Sequence, residues 1–138
     1  MSTIFEKIVK REIPAYTVYE DELAIAFLDI SQATKGHTLV VPKAPYRDIF
    51  ELPEDVASHL MKVIVKLAKA VQTAFNPRGL NILSNNGEVA GQSVFHYHMH
   101  IIPRYDKTDV GIHFENHMSS LEKTDYEKRA NLVKAALL

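Results

Sequence analysis

Three histidines at alternate positions, in the run His96-Tyr97-His98-Met99-His100, constrain the backbone more than any other feature of this chain. In an extended strand, residues i, i+2 and i+4 project from one face, about 7 Å apart per step. On a helix His98 would turn away from its neighbours and the rings would not converge. Phe95, Tyr97, Met99 and Ile101 alternate with the histidines as apolar, β-favouring partners. The pattern predicts a strand over 95–102 with one core face and one imidazole face, ended by Pro103, which cannot donate to a ladder.

Three chemistries compete for that face. The histidines can be a chance cluster on a solvated strand. They can chelate a metal, since His-x-His pairs bind zinc well through neutral imidazole; with no acid in the run and no cysteine in the chain, the remaining ligands would have to come from elsewhere. The third is a nucleophilic histidine held by its neighbours. The upstream stretch Asn85-Asn86-Gly87-Glu88-Val89-Ala90-Gly91-Gln92-Ser93-Val94 favours the third. Its glycines can take positive φ and bring backbone N–H groups near a ligand. Gln92 and Ser93 add neutral donors just before the histidines, a setting that suits a phosphoryl group.

Composition sets the limits. At 138 residues the chain reads as one domain, 1–138, with a helical tail over about 106–138. Sixteen basic residues against seventeen acidic ones leave no electrostatic footprint for a nucleic-acid polymer. No stretch is apolar enough for a signal peptide or a bilayer span, so no membrane partner is expected. The lack of cysteine agrees with a cytoplasmic home. A short helix is expected near 3–10, and strands near 16–20, 23–29, 37–42 and 80–85. A long helix is expected over 54–75, with Val56, Leu60, Ile64, Leu67, Val71 and Phe75 along one stripe. Met61, Val63 and Val65 widen that stripe beyond what one sheet needs. A last helix near 124–138 would turn Tyr126, Leu132, Val133 and Ala136 inward. His59, His113 and His117 read as solvated surface residues. Strands around a long helix, without alternating βαβ units, predict an α+β fold with an antiparallel sheet of about five strands.

The run His96-Tyr97-His98-Met99-His100-Ile101-Ile102 resembles the histidine-triad (HIT) superfamily of nucleotide hydrolases and transferases. Gly91-Gln92-Ser93-Val94, Ala26-Phe27-Leu28-Asp29-Ile30 and the stretch Gly36-His37-Thr38-Leu39-Val40-Val41-Pro42-Lys43 are similar to its histidine-triad nucleotide-binding, phosphoramidase-like branch. So is the opening, Ile4-Phe5-Glu6-Lys7-Ile8-Val9 followed by Glu12-Ile13-Pro14-Ala15, and the five blocks fall in the family's order over residues 3–105.

The resemblance implies roles. His98 would attack the α-phosphorus of a purine nucleotide, giving a nucleotidyl-histidine that water hydrolyses. His96, His100 and His37 would orient it or contact phosphate, and Ser93, Asn85 and Gln92 would hold phosphate or leaving-group oxygens. Asp29 would accept both ribose hydroxyls, and Ile4, Phe5, Ile8, Phe27, Ile30 and Leu39, each a plain core residue on its own, would sandwich the base. A homodimer is implied, its two sheets joined through the long helix and the Leu80–Leu83 strand. Many bacterial relatives bind structural zinc with a Cys-x-x-Cys, a histidine after the Pro-Lys turn and the first triad histidine. Here Thr3, Glu6 and Pro45 stand at three of those positions, so no metal and no cofactor are expected. His100, where transferases usually carry glutamine, points to hydrolysis. A nucleoside phosphoramidase is the first expectation. The alternatives are a dinucleoside polyphosphate hydrolase and a regulatory nucleotide-binding module with weak turnover.

Overall fold

The computed structural model describes residues 2–137. Its elements are helix α1 (Ile4–Val9), strands β1 (Thr17–Glu20), β2 (Ala24–Leu28) and β3 (Thr38–Pro42), helix α2 (Glu54–Phe75), strands β4 (Gly79–Leu83) and β5 (Met99–Arg104), and helix α3 (Lys123–Ala136). The five strands form one antiparallel sheet in the order β1-β2-β3-β5-β4. The fold is α+β.

Alternation along β2 explains the two layers. Ala24 and Ala26 face α2, where small side chains let the helix approach, and join Val40, Ile101, Tyr97, Leu60, Val63, Ile64 and Leu67 in one core. Ile25 and Phe27 face the other way and pack with Leu39, Val41 and Phe5 of α1. Six residues are too few for an independent helix. The short α1 is held by the buried Phe5 and by a capping box between Thr3 and Glu6. At the far end of α2, Asn76 takes a left-handed conformation with φ 50°, which stops the helix before Pro77.

Several expectations need correction. The histidine run is not all strand. Residues 95–98 lie outside the ladder, and β5 starts only at Met99. There the His96 ring bonds Pro42 O at the end of β3, and the Tyr97 N–H donates to Tyr46 O, in the loop after β3, at 2.6 Å. Pro103 does not end the strand: it pairs with Leu80 beyond the last β3 partner, Ile101, where a missing N–H is tolerated. Val63 is 2% exposed and belongs to the core, while Met61 and Val65 stay open. The final helix turns nothing inward, since no residue of α3 is buried among the described residues. His59 is not free. Its Nε2 lies 2.7 Å from the Asp21 carboxylate, which also accepts from Tyr19, Leu23 and Ala24 and so ties α2 to the β1–β2 turn.

Candidate active site

The α1 side of the sheet gathers the histidines. His100 is paired within β5, between Leu39 of β3 and Leu83 of β4. The His98 and His100 ring centres are 5.0 Å apart, and those of His37 and His100 5.2 Å. Phe5 packs edge-on against His98, 4.9 Å between centroids.

Hydrogen bonds fix the tautomers of these rings. His98 Nδ1 lies 2.7 Å from the His96 carbonyl, which can only accept. The proton therefore sits on Nδ1, and Nε2 keeps a bare lone pair. His96 donates Nε2–H to Pro42 O at 2.7 Å, leaving its Nδ1 buried without a partner. His37 Nδ1 accepts from the Ala33 N–H at 3.3 Å, so its proton is on Nε2. That Nε2–H faces His100 Nδ1 at 2.9 Å, and His100 in turn must carry its proton on Nε2. Burial pushes the pKa of all four rings down, partly offset at His98 by its bond to the His96 carbonyl. His98 and His37 push His100 further, to about 4. The cluster is neutral at neutral pH, the form in which imidazole is a nucleophile.

The glycine loop takes the positive φ its sequence suggests, but the N–H groups of Gly87, Ala90, Gly91 and Gln92 all bond within the loop. Gly87 and Gly91 have φ of 93° and 94° and flank a 3₁₀ turn over Glu88–Ala90. Ser93 is exposed and Asn85 half-buried beside Gly91. Gln92 has a different position from the one expected. It is buried; its Oε1 accepts from the Gly87 N–H, and its Nε2 donates to the carbonyls of Arg47 and Val94. Both amide donors are taken, so Gln92 braces the loop and has no N–H left for a phosphate.

Asp29 follows β2, half-buried. Burial would raise its pKa, but two bonds from Ser31 and the nearby His37 outweigh this and hold it below the usual carboxylate range. Its Oδ2 lies 3.6 Å from His37 Nε2. The apolar residues do not act alike. Phe5, Phe27 and Leu39 are buried, whereas Ile8 is half-buried, Ile4 is 50% exposed and Ile30 is 84% exposed. Ile30 is thus no core residue, because it stands in the turn after β2. Ile8 packs against the buried three, while Ile4 and Ile30 stand open. His113 and His117 are exposed. A cavity of about 570 Å³ lies elsewhere, between Arg78–Asn81 and Arg104–Lys107.

The zinc positions of the relatives do not fit a metal in this chain. Thr3 and Glu6 bond each other in the capping box, proline offers no side-chain donor, and His96 has only Nδ1 left. Among the described residues one other donor set exists: Asp29, His37 and His100 each present a ligand atom, all within 4.8 Å of one another. There the His37–His100 hydrogen bond already occupies two of the nitrogens. Sequence reading missed Gln32, whose side chain closes the Asp29–His37 loop through three hydrogen bonds. Nothing in its residue type marks it.

Comparison with known proteins agrees with this fold. The model of the HIT domain matches residues 10–107, and the chain belongs to the HIT family. Among its relatives is the "Protein hit" of Bacillus subtilis, 50% identical over 125 residues, covering 90% of this chain and 86% of that protein. The adenosine 5′-monophosphoramidase hnt1 of Schizosaccharomyces pombe is 42% identical over 104 residues, 75% of each chain. A crystal structure of a HIT family member from Bacillus subtilis superposes with a TM-score of 0.96 at 45% identity, covering 100% of this chain and 99% of the other.

Proposed function

We propose that this chain is a nucleotide hydrolase acting at the α-phosphate of purine nucleoside phosphoramidates, through a nucleotidyl-histidine on His98, and that it works as a single-domain homodimer in the cytoplasm. The observation that carries the reading is the bond from His98 Nδ1 to the His96 carbonyl, which aims the lone pair of a neutral imidazole out of Nε2. In the first step an Nε2–P bond forms as the P–N bond to the leaving amine breaks, and the departing nitrogen takes up a proton. The Nδ1–H of the resulting imidazolium stays on the His96 carbonyl, which stabilises its positive charge. Water then attacks the same phosphorus and breaks the P–Nε2 bond, and the proton it loses to solvent replaces the one the leaving amine took up. Nucleoside monophosphate leaves, and His98 returns to its neutral tautomer.

The surrounding residues have matching tasks. His100 Nε2–H and the Ser93 hydroxyl donate to phosphoryl oxygens or the leaving group, with the Asn85 amide beside them. Asp29 Oδ2 accepts from the ribose hydroxyls. Ile4, Ile8 and Ile30 flank the base, backed by Phe5, Phe27 and Leu39. The fission-yeast relative is named for this activity, which supports carrying the class of substrate over. The test is turnover of an adenosine phosphoramidate beside a diadenosine polyphosphate at one enzyme concentration. Faster release of AMP from the phosphoramidate is expected, and faster cleavage of the polyphosphate would refute the assignment.

A further inference from the structure

Gln32 occupies a conformation that few residues of its kind adopt. Its φ is +43°, in the left-handed region that side chains with a Cβ disfavour. The surroundings over-determine it. Nε2 donates to Asp29 O and to His37 O, each at 2.7 Å, and Oε1 accepts from the Gly36 N–H at 2.9 Å. Two carbonyls on one side and an N–H on the other force the amide orientation. The backbone N–H of Gln32 also reaches Asp29 O, and that of Asp29 reaches His37 O. One side chain thus spans the loop from the ribose-side acid to the first histidine. The next residue, Ala33, aims its N–H at His37 Nδ1.

The Ala33 N–H, helped by the Asp29 carboxylate 3.6 Å from His37 Nε2, sets the direction of two rings. Without it, neutral His37 could hold its proton on Nδ1 and accept at Nε2. His100 would then donate from Nδ1 and present a bare nitrogen at Nε2. A bare nitrogen opposite a phosphoryl oxygen repels it, whereas an N–H binds it. We propose that Gln32 is a positioning residue that, by holding the Ala33 N–H on His37, fixes the tautomers of His37 and His100 so that His100 meets the reacting phosphoryl group as a donor. This rests on the hydrolase reading for its consequence in turnover, but not for the tautomers themselves. In a serine-protease triad, a wrongly set histidine tautomer lowers kcat about 10⁴-fold. The effect here acts one ring further away and is smaller.

Two variants test it. Gln32→Gly accepts the left-handed backbone without strain but removes all three side-chain bonds. Gln32→Glu keeps an acceptor for the Gly36 N–H and sets a carboxylate against two carbonyls. Long-range imidazole ¹H–¹⁵N spectra of the substrate-free, folded proteins at neutral pH report which nitrogen carries each proton. Wild type is expected to show Nε2–H on both His37 and His100, and both variants a mixture of tautomers. With an adenosine phosphoramidate, kcat should fall about tenfold or more while KM changes less than about twofold. Nδ1–H on His37 in wild type, or unchanged spectra and kcat in both variants, would overturn the proposal. Wild-type protein with the expected tautomers but no turnover of any nucleotide would sink the hydrolase reading and leave the tautomer assignment supported.

Discussion

Glutamate placed at Val65 and at Val63 separates assembly from folding, because these neighbours on α2 have opposite environments. Val63 is 2% exposed among Leu60, Ile64, Leu67 and the β2 alanines, whereas Val65 is 48% exposed, one turn from the equally open Met61. Trimming Val63 to alanine removes two methyl groups and leaves a void, about 2 kcal/mol. Val63→Glu must bury an unpaired carboxyl, at least about 4 kcal/mol against a total stability of roughly 5–15. It is expected to unfold much of the protein. Val65→Glu should change the stability of an isolated chain by no more than about 0.5 kcal/mol. If α2 forms the two-fold contact, the same carboxyl is desolvated twice, once in each copy. At about 2 kcal/mol each, the dimer weakens on the order of 10³-fold. Urea denaturation reads the first quantity, and sedimentation velocity from nanomolar to high micromolar protein reads the second. Wild type should be dimeric at micromolar concentration, with Val65→Glu folded, monomeric and less active. A wild-type monomer with full hydrolytic activity, or a Val65→Glu dimer as tight as wild type, would refute the reasoning.

Two further outcomes are expected. His100 has a folded pKa of about 4 against an ordinary 6.5, so the unfolded chain binds more protons in between and stability falls as pH drops across that window. The wild-type urea midpoint minus that of His100→Gln should therefore rise with pH from about 4 to about 6.5; a difference that stays flat would contradict a half-buried ring that is neutral in the fold. Purified protein should hold much less than one equivalent of zinc, and a chelator should leave its activity unchanged. Stoichiometric zinc lost together with activity would favour a metal-activated water over covalent histidine catalysis.

Much of the fold was legible because it follows from period. The α2 stripe and the apolar strands 24–28 and 38–42 carry their burial in their spacing, and the structure returns 54–75 for the helix without a shift. The histidine run was read correctly for convergence and wrongly for backbone. Alternation says which side chains share a face, but not whether a ladder partner exists, and the β3–β5 pairing stops at Val40 and Met99 although β3 runs on to Pro42. Val63 and Val65 lie two residues apart on a widened apolar arc, and only the position of the sheet decides which is core. Ile30 and Gln92 were placed by block rather than by environment. A turn exposes the first, and three hydrogen bonds internalise the second. Gln32 was invisible because its role depends on a φ value that no residue type announces.

Catalysis by this site rests on the covalent step at His98. Brief mixing of enzyme with a radiolabelled adenosine phosphoramidate, followed by denaturation in alkali, should trap an acid-labile, alkali-stable nucleotidyl label on wild type. His98→Ala should carry none and turn over no substrate, yet bind the nucleotide within about tenfold of wild type, since the pocket is otherwise intact. Label that persists at full level in His98→Ala, or turnover that survives the substitution, would contradict the assignment and move the nucleophile elsewhere.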